Sequence, residues 1–316
     1  MMGAAQGSAS NDLREHVLPS PQIIENARNR LLRSLPEHGI GETKSKDHVL
    51  DHIVPGLNRS SQSPNYYGFV TGGVTPVAAF ADNIVTQADQ NVQVHLPKEA
   101  LATDVEDRAL SMVCELLDLQ PNDWLHRTFT TGATASNLVG LACGREFVIQ
   151  EAARRRGSTT SVAENGILQA TRKAGLDGVQ TLTTVPHSSL RKAASIVGLG
   201  RTSVIDVGLA PAPHLFDMKK LENLLRRPAI ASIVVISAAE VNTGLFATDH
   251  KDMQEIRRLC DYYGAWIHVD AAFGLLARVL PEGGEYDKIK AGVADLELAD
   301  SVAGDAHKLL NVVGPC

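Results

Sequence analysis

Hydrophobic and polar positions follow two regimes along the chain. Over residues 12–35, Leu13, Val17, Ile24, Ala27, Leu31 and Leu35 recur at helical spacing and predict an amphipathic helix. Polar Pro36 to Asp47 interrupts that pattern, and residues 60–76, rich in Ser, Pro, Gly and Tyr, read as a loop. Residues 77–118 read as largely helical, with Pro97 opening a turn or helix. From about residue 125 strands and helices alternate. Thr134–Arg156 predicts a long helix, Val179–Pro186 a strand, Ser188–Val197 a helix and Thr202–Val207 a strand. Asp217 caps a helix running to about Arg227, and the β-branched run Ile230–Ala238 predicts a strand buried on both faces. Asp249–Tyr263 predicts a helix ended by Gly264, and Trp266–Asp270 another buried strand. The alternation implies an α/β fold with a mostly parallel sheet covered by helices.

Composition narrows the class. A chain of 316 residues can hold one large α/β domain and a smaller segment. Its 44% hydrophobic and 21% charged content is ordinary for a soluble protein. The net charge of −6 offers no basic patch for nucleic acid, and no apolar run approaches membrane-spanning length. Met1 to Asn11 is small and polar, without the layout of a secretory signal. Cys114, Cys143, Cys260 and Cys316 are scattered and form no CxxC pair, so neither metal binding nor a disulfide is expected. A reducing, cytoplasmic setting is. Arg154-Arg155-Arg156 reads as the solvated end of a helix.

Two placements carry chemistry. Asp270 lies in an apolar strand and Lys308 follows Asp305-Ala306-His307 near a strand end; both are costly without partners. Pyridoxal phosphate (PLP) would partner both, its aldehyde held by the lysine as a Schiff base and its ring nitrogen paired with the aspartate. Four segments can be weighed against that idea. Thr130–Asn137 opens the long helix with small residues suited to a phosphate, though such residues also form plain caps. Pro186-His187-Ser188-Ser189 puts a histidine at a strand's carboxyl end, where it could stack on a flat ring or simply cap a helix. Ala272, two residues after Asp270, would share its face and leave room under a ring; alternatively Asp270 caps the following loop. Glu240-Val241-Asn242-Thr243-Gly244 offers polar groups at the same edge, or a polar turn.

With Tyr67–Gly73, Thr131–Asn137, Pro186–Ser189, Val241–Gly244, His268–Phe273 and Asp305–Val312 together, the chain resembles the group II pyridoxal-dependent amino-acid decarboxylases from about Ser63 to Val312. This family includes aromatic L-amino-acid, tyrosine, histidine and glutamate decarboxylases. The resemblance implies PLP fold type I, the aspartate-aminotransferase-like fold, working as a homodimer with sites at the interface. It implies an N-terminal helical segment over residues 1–60 and a PLP-binding large domain over 61–316. It maps Lys308 to the Schiff-base lysine, Asp270 to the pyridinium partner and His187 to the stacking histidine. Ala133, Thr134 and His307 map to phosphate contacts, and Asn242, Thr243 and Ala272 join the cofactor shell. Phe69, Val70, Thr71 and Gly72 fall where the family lines its substrate pocket, and Val92 and Val94 where relatives reach the neighbouring subunit's site.

The family pattern usually continues Asn-Val-Pro-Tyr-Asp; here it reads Asn311-Val312-Val313-Gly314-Pro315-Cys316. Set against the family, a C-terminally truncated chain is expected, with the small C-terminal domain missing. The expected activity is decarboxylation of an L-amino acid to an amine and CO2. Another fold type I lyase, cysteine-desulfurase-like or aldehyde-forming, and a non-catalytic fragment stand as alternatives.

Overall fold

The computed structural model describes residues 17–63, 65, 68, 72–90 and 94–313. They fall into two compact units, one reaching Ala79 and including Leu310–Val313, the other Phe80–Leu309.

In the first unit, helix α1 spans Pro21–Arg30 and α2 Glu42–His48. The described helix is shorter than the expected 12–35: Ser20 caps it, with Pro21 in the first turn, and Leu31 is already extended. Helix α2 lies inside the stretch expected to break the pattern. Its sequence ETKSKDH has no apolar stripe for periodicity to register, and a Glu42–Lys46 pair supports it.

Helix α3 spans Pro76–Ala88, and the second unit holds α4 (Ala102–Leu116), α5 (Ala133–Arg155) and α6 (Val162–Lys173). The remaining elements are β1 (Gly178–Thr183), α7 (Ser188–Ile196), β2 (Val204–Asp206), β3 (Gly208–Leu209), β4 (Ala212–Phe216), α8 (Met218–Leu225), β5 (Ile230–Ser237), α9 (His250–Tyr263), β6 (Trp266–Asp270), α10 (Asp287–Ala291), β7 (Ser301–Ala303) and α11 (Ala306–Leu309). Five strands form a parallel sheet in the order β2-β1-β5-β6-β7, and β3 and β4 form a small antiparallel ribbon.

The sheet is sandwiched between two cores. Along β5, Ile233 and Val235 face one core, with Leu141, Val148 and Ile149 of α5 and Leu190 of α7. Val234 and Ile236 face the other, with Leu221 of α8 and Met253, Ile256 and Leu259 of α9. Burial on both faces is why β5 reads as a continuous β-branched run. Each fully buried aliphatic side chain contributes roughly 1.5–3 kcal/mol. Asp217 caps α8 as expected, Asp249, expected as the first helical residue, instead caps α9, and Gly264 ends α9 in the left-handed region (φ 72). The Arg154–Arg156 run is the solvated helix end that the sequence implied, all three residues being exposed, and it also reaches backbone carbonyls nearby. Arg155 donates to the carbonyls of Asp261 and Tyr262, and Arg156 to those of Ala174, Gly175 and Pro228. These guanidiniums tie the ends of neighbouring elements together.

Candidate active site

From adjacent strands β1 and β5 the chain departs in opposite directions, β1 toward β2 and β5 toward β6. Such a reversal leaves a crevice outside the carboxyl ends of the strands. Two residues past each strand the backbone turns left-handed, at Val185 (φ 39) and Ala239 (φ 64). A β-branched residue in that region is an outlier, and such strain, about 1–3 kcal/mol, collects at functional sites.

After Val185 comes His187, which caps α7. Its Nδ1 accepts the backbone N–H of Ser189 at 3.3 Å and lies 2.7 Å from the Ser189 hydroxyl, while the residue itself is exposed. After Ala239 comes Glu240, almost fully buried. One carboxylate oxygen accepts the backbone N–H (3.0 Å) and side-chain amide (2.5 Å) of Asn242, and the other accepts the backbone N–H (3.0 Å) and hydroxyl (3.1 Å) of Thr243. Burial pushes the Glu240 carboxyl up, but these four hydrogen bonds outweigh it and hold it below its ordinary range. Asn242 and Thr243, expected in the cofactor shell, thus have their side-chain donors turned onto Glu240.

Helix α5 runs antiparallel to β6, with Asn137 beside Asp270, Gly140 against His268 and Gly144 against Trp266. Its N-terminus therefore opens at the carboxyl edge. Gly132 begins it at φ 129 and no side chain caps it. The Thr130 hydroxyl instead contacts Ser136 Oγ (2.7 Å) and the Gly132 carbonyl (3.1 Å). An uncapped helix of 23 residues directs its dipole and first-turn amides, at Ala133 and Thr134, toward that edge, an arrangement suited to an anion.

Asp270 is the last residue of β6. Asn137 donates to its Oδ2 (2.8 Å) and the backbone N–H of Ala272 to its Oδ1 (3.2 Å). Strand alternation was expected to align Ala272 with Asp270, but the strand has ended, and this turn-like bond sets their relation. On the strand itself, His268 shares the face of Asp270. Its Nε2 meets Asn137 Oδ1 (2.9 Å) and its Nδ1 meets Ser301 Oγ (2.8 Å). Complete burial pushes its pKa down to about 4, against the opposing pull of Asp270.

Lys308, in α11, lies 3.3 Å from Asp305 Oδ2, with its ammonium 3.6 Å from the centroid of the Phe273 ring. Phe273 follows β6 and Asp305 follows β7, so the lysine sits at the same carboxyl edge. The other Asp305 oxygen holds His307 Nδ1 at 2.7 Å, and that carboxylate is itself buried. In the first unit Gly72 packs on Asn311: a β-carbon there would fall 2.8 Å from Asn311 Oδ1. Phe69, Val70, Thr71 and Val92 lie outside the described residues; Val94 is exposed.

Sequence reasoning assigned no individual role to Asn137, His268, Ser301 or Asp305. One signal was present, a second polar residue at strand spacing from Asp270 inside an apolar strand. The partners across the sheet and helix are set by tertiary packing and have no local signature.

The parallel sheet, its crevice and the lysine and aspartate on one edge define an α/β scaffold with a ligand crevice at the carboxyl ends of its strands. Residues 26–316 match the family described as pyridoxal-dependent decarboxylase conserved domain, and the chain belongs to that family. The aspartate 1-decarboxylase of Aliivibrio fischeri is 25% identical over 315 residues, covering 95% of this chain and 55% of that protein. Among solved structures, the glutamate decarboxylase domain of the diaminobutyrate-pyruvate transaminase and L-2,4-diaminobutyrate decarboxylase of Vibrio parahaemolyticus superposes with TM-score 0.72 at 21% identity, covering 100% of this chain and 68% of that one. Oryza sativa TDC with PLP gives TM-score 0.70 at 22% identity, covering 95% and 60%. The fold is thus that of PLP fold type I, as expected. The chain spans about half the length of the curated relatives it matches. Among the described residues no helix is long and apolar enough to cross a membrane, and no cluster of metal-ligating side chains occurs.

Proposed function

We propose that this chain carries the PLP site of an amino-acid decarboxylase, releasing the α-carboxylate of an L-amino acid as CO2 and leaving the amine. The observation that carries the reading is the convergence on one carboxyl edge of an uncapped helix N-terminus, an aspartate held by two donors and a lysine pinned between a carboxylate and a ring. When bound, PLP supplies an aldehyde for amines and a ring that withdraws electrons from the bond to the departing carboxylate.

The chain's own residues then divide the work. Lys308 would hold the aldehyde through its amine. Asp270 would offer a negative charge to the ring nitrogen. The first-turn amides at Ala133 and Thr134, with His307, would take the phosphate. His187 offers a flat ring at the end of β1, and Ala272 leaves space beneath the cofactor. Asn242 and Thr243 shape the edge through Glu240.

A homodimer belongs to this reading. On α3, Val77, Phe80 and Ile84 recur at helical spacing with 73%, 66% and 49% of their surface exposed, a stripe suited to cover by a second copy. The free thiols Cys114, Cys143 and Cys260 suit a cytoplasmic setting.

The test is product analysis. Protein loaded with PLP is offered acidic, aromatic and diamino acids, and CO2 and amine are quantified. Equal yields of both from one class are expected. Alanine, an aldehyde or a keto acid would assign the site to another PLP lyase, and PLP uptake without product would make it a non-catalytic binder.

A further inference from the structure

Asp270 is the last acceptor in a string of five side chains whose direction is fixed by chemistry. A carboxylate only accepts, so the Asn137 amide nitrogen faces Asp270 and its oxygen faces His268. His268 Nε2 must then carry the hydrogen. A buried neutral imidazole has one donor, so Nδ1 accepts, and the partner at 2.8 Å is the Ser301 hydroxyl. Ser301 Oγ in turn accepts the indole N–H of Trp266 at 2.9 Å. Every hydrogen points one way, from Trp266 through Ser301, His268 and Asn137 to Asp270. Asn137 and His268 are both buried, so no water competes for these bonds.

We propose that Asn137 and His268 are positioning residues for the cofactor: the string clamps the Asp270 carboxylate and sets the charge it presents to the PLP ring nitrogen. The proposal rests on the PLP reading above. Aligned donors stabilise the anion and fix its plane, while the Ala272 N–H holds the second oxygen. The remaining lone pairs are left for a ligand. A core that needed only packing would not require an amide placed between a neutral histidine and a carboxylate.

Two readouts test it. In the protein without PLP, nitrogen-15 NMR of the histidine rings is expected to show His268 as the Nε2–H tautomer; an Nδ1–H tautomer overturns the string whether or not PLP binds. The PLP-loaded protein is then compared with His268→Leu, which breaks the string, and His268→Gln, which retains a donor and an acceptor. His268→Leu is expected to bind PLP about tenfold more weakly, the scale of one lost hydrogen bond to a charged group, with a displaced visible band. His268→Gln is expected to recover most of both. Should His268→Leu fail to fold, the near-isosteric Asn137→Leu, which can neither accept from His268 nor donate to Asp270, is expected to give the same loss. An unchanged band and affinity in either broken variant, or an equal loss in His268→Gln, contradicts the proposal. If the unsubstituted protein takes up no PLP, the cofactor reading itself fails, and the proposal with it, a result distinct from normal uptake with unmoved variants.

Discussion

Gly140 lies against the His268 ring so closely that a β-carbon on its backbone would fall 2.3 Å from Cε1 and 2.5 Å from Nδ1. One turn along α5, a β-carbon on Gly144 would fall 2.8 Å from Trp266 Cδ1. Two absent side chains, four residues apart on one helix face, let α5 lie directly on β6. That approach is what brings Asn137 within reach of both His268 and Asp270.

Gly140→Ala should therefore strain the helix–sheet contact where no flexible side chain can yield. Overpacking of this kind costs about 1–3 kcal/mol or more. A fall in Tm of roughly 5 °C or more is expected by calorimetry, since 1 kcal/mol moves a domain of this size by about 2–4 °C. An unchanged Tm would show that α5 moves away from the sheet freely.

Acid should weaken the fold. The unfolded chain protonates His268 near its ordinary value of 6.5, while burial holds the folded form neutral down to about 4. The unfolded state therefore binds the extra proton between those values, and stability drops as pH falls through that window, by on the order of 3 kcal/mol from this group. Glu240 acts in the same direction. Its folded pKa is lowered, so its contribution is present above the unfolded value and lost as pH falls through the folded one. Urea midpoints measured from pH 7 to pH 4.5 should decline, and less steeply in His268→Gln. A flat profile, or the same slope in that variant, would contradict the buried neutral histidine.

Glu240→Gln replaces two acceptor oxygens with one acceptor and one donor facing the donors of Asn242 and Thr243. At least one buried donor loses its partner, at a cost of about 1–3 kcal/mol. Faster proteolytic cleavage within residues 240–244 is expected, together with a lower Tm. Protease resistance equal to that of the unsubstituted protein would show that the loop does not depend on the carboxylate.

Asp270→Asn removes the negative charge at the end of β6 and leaves the neighbouring packing in place. Decarboxylation is expected to fall about 100-fold or more, the scale of a lost central electrostatic partner, while PLP still attaches to Lys308. Turnover near normal would remove Asp270 from the chemistry.

Much of this architecture was legible in the sequence because single elements announce themselves. Trp266–Asp270 followed the helix stop at Gly264 as an apolar stretch holding one acid, and Asp217 stands before an amphipathic stretch as a cap. The short elements were not legible: β7 has three residues, β3 two, and α6 carries a kink at Gly166 that breaks its periodicity. At the site, Asp270 and Lys308 stood out as polar residues in apolar surroundings. Their keepers did not. Asn137 is one polar residue among many in a helix, Ser301 ends a loop, and Asp305 reads as part of a lysine motif. Each acquires meaning only when packing brings it to a partner as far as 133 positions away. The reverse also occurred. Asn242 and Thr243 looked like free donors in sequence because nothing local shows that Glu240 would be buried between them.

The central claim is that Lys308 holds PLP at the carboxyl edge of the sheet. Protein incubated with PLP, reduced with borohydride, digested and mapped by mass spectrometry should carry the pyridoxyl label on Lys308 and lose it in Lys308→Ala. Label found on Lys173 or Lys192 with Lys308 unmodified would contradict the account.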